Sequence, residues 1–206
     1  FSANRHPDWE LQSRQADLYQ VNLRNQQLTQ LTSLDGEEAE PALSPDGKTL
    51  AFTFTRPDAV SYVNSKLKLL DLGSRQIRML AAELDRSVEN PNWVNNNTLV
   101  FQYADRGLTK VAQISTRDRM TDLVSDLGGT SWGRPYLSGM YSVASNGTLA
   151  YTQGSSQRPG AAPHLLLADE QHAAFDRQRV AGRPTHGRAI GLAVLGFVDP
   201  ALPAAV

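Results

Sequence analysis

Short stretches of apolar or alternating residues, each ended by a turn-forming pair or triplet, recur along the first 165 residues of the chain. Such stretches, bounded by Gly, Pro, Asn or Asp, are typical of β-strands. Thr49-Leu50-Ala51-Phe52, for example, follows Pro45-Asp46-Gly47, which supplies the fixed φ, the side-chain cap and the positive φ of a tight hairpin. No stretch sustains a helical period, and only residues 83–89 are expected to form a helical turn. The pattern predicts an all-β chain.

One phrase occurs three times at a constant interval. It covers Pro41–Phe52, Pro91–Phe101 and Tyr141–Tyr151, and each copy has a short apolar start, a polar turn and then Thr-Leu-small-aromatic. The Thr-Leu pairs begin at positions 49, 98 and 148, so the steps are 49 and 50 residues. A repeat of this length built from short strands is typical of the four-stranded blades of a β-propeller.

Further strands are predicted between the copies of this phrase. One set covers residues 18–23, 67–72, 110–115 and 164–169, and a second, shorter set covers 27–32, 76–80 and 120–124. Together with the phrase they make four strands in each repeat. The fold class predicted is therefore all-β: a partial β-propeller of three to four four-stranded antiparallel blades. The alternative is a β-sandwich with similar hairpins, but sandwiches do not usually repeat one phrase at a constant period.

Composition and charge narrow the classes of function. The chain has 20 Lys and Arg against 21 Asp and Glu, and this balance argues against a nucleic-acid surface. The longest uncharged apolar run, residues 189–198, is too short to span a membrane as a helix. The lack of cysteine excludes disulfides and thiolate sites but does not choose between bacterial cytoplasm and periplasm. Because the first residue is Phe1, the chain is expected to come from a longer product.

The phrase PALSPDGKTLAF at 41–52 resembles the repeat of TolB-like propellers, Pro-x-hydrophobic-Ser-Pro-Asp-Gly-Lys-x-Ile/Leu-Ala-Phe. That repeat occurs in TolB and in the propeller domains of the prolyl oligopeptidase family of serine peptidases. The segments 2–23 and 133–159 are similar to blades of acylaminoacyl-peptidase-like and dipeptidyl-peptidase-like members. The resemblance spans about residues 2–169.

The resemblance implies a propeller that gates and orients peptide substrates for a C-terminal α/β-hydrolase domain. In that family the Ser-Asp-His triad and the oxyanion hole lie on the hydrolase domain, so no catalytic residue and no cofactor is expected in this chain. We expect the chain to be truncated before that domain, with peptide substrates or the hydrolase domain as partners in the full-length protein. The alternative is a TolB-like propeller that acts as a protein–protein interaction module.

Four residues are candidates for binding a peptide substrate. Paired propeller glutamates bind the substrate's N-terminal ammonium in some dipeptidyl peptidases, and Glu37 and Glu38 match this pair by composition. Arg56 and Arg134 follow strand ends or lie in loops, as Arg106 does, from which an arginine can hold a peptide carboxylate or carbonyl. The simpler interpretation is that all of these charges solvate turns and loops.

Two patterns that could indicate catalysis lack the sequence context that catalysis needs. Gly129–Gly133 matches the G-x-S-x-G nucleophile elbow around Ser131, but the residues before it are too polar for a buried strand and Pro135 prevents a following helix. The four histidines are His6, His164, His172 and His186. None has the spacing of a metal ligand pair, which argues against a metal-dependent propeller enzyme.

The chain is predicted to divide into a propeller portion, residues 1–169, and an atypical tail, residues 170–206. The tail is rich in Ala, Arg, Gly and Pro and has no strand alternation, so it is interpreted as disordered or as the product of a shifted reading frame. An open set of blades leaves strand edges unpaired, and oligomerisation through those edges is expected.

Overall fold

The computed structural model describes residues 1–12, 14–57, 62–128, 139–155 and 158–167, of which residues from 154 onward are described as backbone only. Within these ranges the chain forms fourteen β-strands and no helix. The strands are β1 (Ser2–Ala3), β2 (Asp17–Val21), β3 (Leu28–Gln30), β4 (Glu37–Leu43), β5 (Thr49–Thr55), β6 (Lys66–Asp71), β7 (Ile77–Leu80), β8 (Val88–Asn95), β9 (Thr98–Asp105), β10 (Leu108–Ser115), β11 (Met120–Leu127), β12 (Tyr141–Val143), β13 (Thr148–Ser155) and β14 (Arg158–Leu167). The prediction of an all-β chain is confirmed.

Consecutive strands pair antiparallel and group into four blades. Blade 1 is β1-β2-β3, blade 2 is β4-β5-β6-β7, blade 3 is β8-β9-β10-β11, and blade 4 contains β12-β13-β14. A single residue pair, Leu127 and Gln153, also joins β11 to β13, so blades 3 and 4 share one sheet. The predicted partial propeller of three to four blades is confirmed.

The repeated polar turns share one hydrogen-bonding device. In each turn between the first and second strands, a side-chain oxygen accepts the backbone N–H two residues later, which is the Asx turn that Asp and Asn favour. The acceptors are Asp46, Asn95 and Asn146, at 3.1, 2.8 and 3.0 Å. Gly47 and Gly147 follow with φ of 71° and 83°, the left-handed region that glycine adopts without strain. Asn95-Asn96-Asn97 thus replaces Pro-Asp-Gly with the same turn chemistry.

Among the described residues, the hydrophobic core consists of three clusters, and each lies between two consecutive blades. Leu18, Leu50, Phe52, Phe54 and Leu70 fill the space between blades 1 and 2. Leu67, Leu69, Leu80, Leu99, Phe101 and Ile114 belong to the cluster between blades 2 and 3, and Val100, Val111, Val124, Leu127 and Leu149 to the cluster between blades 3 and 4. Apolar area removed from water between the blades is therefore what holds them face to face.

The first strands of blades 2, 3 and 4, hereafter the inner strands, contact one another: β4 contacts β8, and β8 contacts β12. Hydrogen bonds between residues about one repeat apart join them. The Asn90 N–H donates to Glu40 Oε2 at 2.8 Å, and the Trp93 indole N–H donates to the Ala42 carbonyl at 2.9 Å. Glu40 and Asn90 both have left-handed φ, at equivalent irregularities in the pairing of β4 and β8. The sequence repeat is thus also a repeat of backbone conformation.

The prediction of a helical turn at residues 83–89 is wrong. The link between blades 2 and 3 contains one hydrogen-bonded turn, in which the Leu84 N–H donates to the Ala81 carbonyl at 3.0 Å, and strand β8 begins at Val88. Val88 is buried in the core and lies opposite Tyr103 of β9, and this burial outweighs the local helical preference. The division at residue 169 stays a prediction, because residues 168–206 lie outside the described ranges.

Candidate functional site

The antiparallel order gives the set of blades two different faces. The loops between the second and third strands, together with the links between blades, lie at one end of the strands, and we call this end the loop face. The turns between first and second strands and between third and fourth strands lie at the other end, the turn face. Residues 4–12, 14–16, 31–36, 56–57, 62–65, 81–87 and 106–107 belong to the loop face. Long loops on a rigid scaffold are where binding residues are usually carried.

A depression of about 530 Å³ opens on the loop face beside blades 1 and 2. It is lined by His6, Leu11, Gln12, Arg14, Gln15, Asp35 and Pro57. These residues come from the long loop of blade 1, from the link to blade 2 and from the end of β5. The lining holds a cation, an anion and two amides.

Glu37 and Glu38 do not form a pair of exposed carboxylates. They are consecutive residues of β4, and consecutive side chains of a strand point to opposite faces. Glu37 is exposed, whereas Glu38 is completely buried. Only Glu37 is therefore placed where a ligand from solvent can reach it.

The Glu38 carboxylate is held inside the boundary between blades 1 and 2. One oxygen accepts the Leu34 N–H at 2.9 Å, and the other accepts the Thr32 hydroxyl. The same hydroxyl accepts the Leu18 N–H at 3.0 Å. Burial raises the pKa of Glu38, and the bonds from Thr32 and Leu34 oppose that rise. The contacts of Glu38 thus tie the link between the blades to strand β2.

A second buried carboxylate, Asp17, lies at the same boundary. Its Oδ2 is 3.1 Å from His6 Nε2 and accepts the Gln30 side-chain N–H at 2.9 Å, while its Oδ1 has no hydrogen-bond partner among the described residues. His6 also lines the depression, so Asp17 lies directly beside a residue of the cavity wall. Sequence reasoning missed this carboxylate; the one available signal was an acidic residue, Asp17, at the start of an otherwise apolar strand.

The arginines selected from the sequence as candidates for substrate binding lie in different parts of the chain. Arg56 is exposed and directly follows β5, and since Thr55 lies opposite Glu37, both charged residues lie at the same end of blade 2. Pro57, the next residue, lines the depression. Arg106 occupies the tight turn between β9 and β10 with a left-handed φ of 51°, so it has a turn role. Arg134 lies outside the described residues.

Blade 3 carries a network of charges on the loop face. Asp105 is 3.0 Å from both Arg86 and Lys110, and Lys110 also lies 3.5 Å from Asp122. The Tyr103 hydroxyl donates to Asp122 at 2.7 Å. The neighbouring cations lower the pKa of Asp105, chiefly through the hydrogen bond from Lys110. Because these charged groups pair with one another, we interpret the network as one that stabilises the fold.

Large aromatic side chains pack between the blades. Tyr103 belongs to the cluster between blades 2 and 3 and Trp93 packs against it, while Tyr151 packs against the cluster between blades 3 and 4. Trp132 and Ser131 of the G-x-S-x-G string lie outside the described residues, as do His172, His186 and the side chain of His164.

In the described part of the chain, no three His, Asp or Glu side chains are placed to hold a metal ion. The described segments also include no helix with the length and apolarity needed to cross a membrane.

Comparisons with solved structures identify the architecture. TolB from Acinetobacter baumannii matches 79% of this chain with a TM-score of 0.51 and 17% identity, and the chain covers 37% of it. The β-propeller domain of the Trilobed protease from Pyrococcus furiosus matches 76% of the chain, with a TM-score of 0.50, 13% identity and 44% of that structure covered. The fold is a TolB-like β-propeller. A puromycin-hydrolysing peptidase of Mycobacterium tuberculosis matches 74% of the propeller chain, with a TM-score of 0.52, 19% identity and 24% of its own length covered.

The chain also has a relative that is similar in sequence. The propeller chain is 28% identical over 119 residues to the probable dipeptidyl-peptidase 5 of Emericella nidulans, a match that covers 58% of this chain and 16% of that protein. No protein-family model matches the chain. The chain spans less than half the length of each of these proteins.

Proposed function

We propose that this chain is the propeller portion of a serine peptidase of the prolyl oligopeptidase kind, and that it gates and orients peptide substrates for an α/β-hydrolase domain. The observation that carries the proposal is the 28% identity to a probable dipeptidyl-peptidase over 119 residues. The structural likeness to the propeller of the Trilobed protease and to the puromycin-hydrolysing peptidase supports it at the level of the fold.

The loop face of blades 1 and 2 supplies the groups that such a role needs. Glu37 is an exposed carboxylate that can pair with the substrate's ammonium group, and Arg56 is an exposed cation at the same end of the blade. The depression lined by His6, Arg14 and Asp35 lies beside Pro57, the neighbour of Arg56. We therefore assign substrate contact to Glu37 and Arg56, with Glu38 in the supporting layer beneath them.

The first experiment reads the coding sequence onward from the Val206 codon in the source genome, in all three frames. The proposal expects a hydrolase domain with a Ser-Asp-His triad. Coding sequence that contains no such domain in any frame contradicts the proposal.

By itself, the 206-residue protein is expected to hydrolyse no aminoacyl- or acylaminoacyl-nitroanilide, and turnover that disappears with Ser131→Ala would overturn the non-catalytic assignment.

The second experiment measures steady-state kinetics of the propeller joined to that hydrolase domain. Glu37→Gln and Arg56→Met are each expected to raise KM for a short peptide about tenfold, because a lost charge-assisted hydrogen bond costs about 1.5 kcal/mol. The matched controls are Glu83→Gln, in the link between blades 2 and 3, and Arg24→Met, on the turn face. If the controls change KM as much as the candidates do, substrate contact at Glu37 and Arg56 is refuted.

A second candidate function is a TolB-like interaction module, which is favoured by the match to TolB over 79% of the chain. In that case the propeller binds a partner protein and needs no hydrolase domain. Co-purification of the tagged chain with a defined partner that competes for the loop face, in an organism whose locus encodes no hydrolase, would support this function. If no partner co-purifies in such an organism, this function is excluded; binding that survives substitution of the loop-face residues would place the binding surface elsewhere on the propeller.

A further inference from the structure

The turn face carries an excess of cations. Its described turns are residues 22–27, 44–48, 72–76, 96–97, 116–119 and 144–147. They hold five cations against two anions, Asp46 and Asp118, and the cations are Arg24, Lys48, Arg75, Arg117 and Arg119. The whole chain has a formal net charge of −1. The balanced composition therefore conceals a basic surface at one end of the strands.

These five cations are available to groups outside the chain. All five residues are exposed, and none forms a salt bridge with a described residue. In the charge network of blade 3, by contrast, the cations lie within 3.5 Å of carboxylates. The two anions of the turns accept hydrogen bonds from the chain itself, Asp46 from the Ser44 hydroxyl at 2.6 Å and Asp118 from the Ala81 N–H at 2.7 Å.

The turns of neighbouring blades form one shallow surface. The Asp46 N–H donates to Asn96 Oδ1 at 3.0 Å and so joins the turns of blades 2 and 3. The turn between β2 and β3 matches the turn between β6 and β7, with Gln26 and Arg75 at the same position and left-handed φ of 58° and 61°. The depression beside the second of these turns holds about 230 Å³, less than half the depression on the loop face. A shallow face with cations on three blades suits a broad anionic surface better than an extended peptide.

An exposed leucine lies beside the first of these cations. Leu23 is 89% exposed in the turn between β2 and β3, directly before Arg24. Peripheral proteins hold anionic membranes with this combination, because the apolar side chain enters the acyl boundary while Lys and Arg stay at the headgroups. The exposed leucine favours a lipid surface over an acidic protein, whose charged surface offers no apolar layer to receive it.

We propose that the turn face is a docking surface for an anionic lipid membrane, with its five cations against the headgroups and Leu23 at the acyl boundary. Each Lys or Arg near an anionic membrane strengthens binding about fivefold, and salt screens this attraction. The proposal is independent of the proposed function, because Glu37 and Arg56 lie at the opposite end of the strands.

Co-sedimentation of the 206-residue chain with vesicles tests the proposal. One set of vesicles is phosphatidylcholine alone, and the other also contains phosphatidylglycerol. The chain is expected to sediment with the anionic vesicles only and to be released as the salt concentration is raised.

Arg75→Gln is expected to weaken binding to the anionic vesicles about fivefold. Glutamine suits the left-handed backbone there, because Gln26 holds the same conformation in blade 1. Arg106→Gln is the matched control, since Arg106 is also an exposed arginine with left-handed φ but lies on the loop face. This control should bind as the unsubstituted chain does.

Leu23→Ser supplies the second readout and should weaken binding at low and at raised salt, because the interaction that it removes is apolar. Its control is Leu11→Ser, at a leucine that is 87% exposed on the loop face. The proposal is overturned if the chain fails to sediment with anionic vesicles, if it sediments equally with neutral ones, or if the controls lose as much binding as their matched variants. A chain that binds poly-glutamate but no vesicle would also overturn it and would assign the turn face to an acidic protein.

Discussion

At the scale of single residues, Glu38 shows how a charged side chain can serve the fold. Its two carboxylate oxygens accept hydrogen bonds from Thr32 and Leu34. Glu38→Ala is expected to lower the free energy of unfolding by about 1–3 kcal/mol, because it leaves the Leu34 N–H and the Thr32 hydroxyl without this acceptor inside the boundary. Urea denaturation measures the loss. Glu37→Ala, on the exposed face of β4, is the control and should change stability by less than about 0.5 kcal/mol; equal losses would show that burial of Glu38 does not matter.

The raised pKa of Glu38 also predicts how stability depends on pH. Burial raises the pKa of Glu38, and it raises the pKa of Glu40 in the same way. A raised carboxyl pKa contributes stability that is complete below the unfolded value, about 4.3, and is lost as pH rises through the folded value. The loss of stability caused by Glu38→Ala should therefore be larger near pH 4 than near pH 7. Urea curves at both pH values measure this; a difference that grows with pH would contradict the direction of the shift.

At the scale of elements, the contact between inner strands should determine how firmly neighbouring blades are joined. Trp93→Phe removes the indole N–H that bonds to the Ala42 carbonyl and shortens a side chain at the boundary of blades 2 and 3. We expect a loss of about 1–3 kcal/mol in the free energy of unfolding. Trp9→Phe is the matched control, since Trp9 is 56% exposed on the loop face. Differential scanning calorimetry compares the two, and similar midpoints would mean that the inter-blade bond contributes nothing.

The strands were predictable to different degrees, and turn chemistry is the reason. Asp46-Gly47 and Asn146-Gly147 predict hairpins, because a tight turn requires the backbone conformations that these residues favour. The strands around them therefore follow from short-range sequence patterns. The start of β8 at Val88 depends on pairing with β9, which no local pattern reveals. The contacts of the candidate site were harder to predict than the strands. Asp17 and Glu38 lie at the same boundary only because blade 2 packs against blade 1. Composition could select Glu37 and Glu38 as candidates, but only the alternation of β4 shows that they face opposite ways.

At the scale of the whole molecule, the edge of β1, with which no described strand pairs, predicts self-association. An exposed strand edge pairs readily with a strand of another chain, and Ser2 presents both a donor and an acceptor there. We expect the chain to form concentration-dependent oligomers in light scattering. Ser2→Pro should reduce association, because proline removes the outward N–H and leaves the bonds between Phe1 and Tyr19 in place. Ser2→Ala is the control, since it removes only the hydroxyl that donates to the Glu38 carbonyl. A monodisperse monomer for the unsubstituted chain, or equal association of the proline and alanine variants, would show that this edge does not drive assembly.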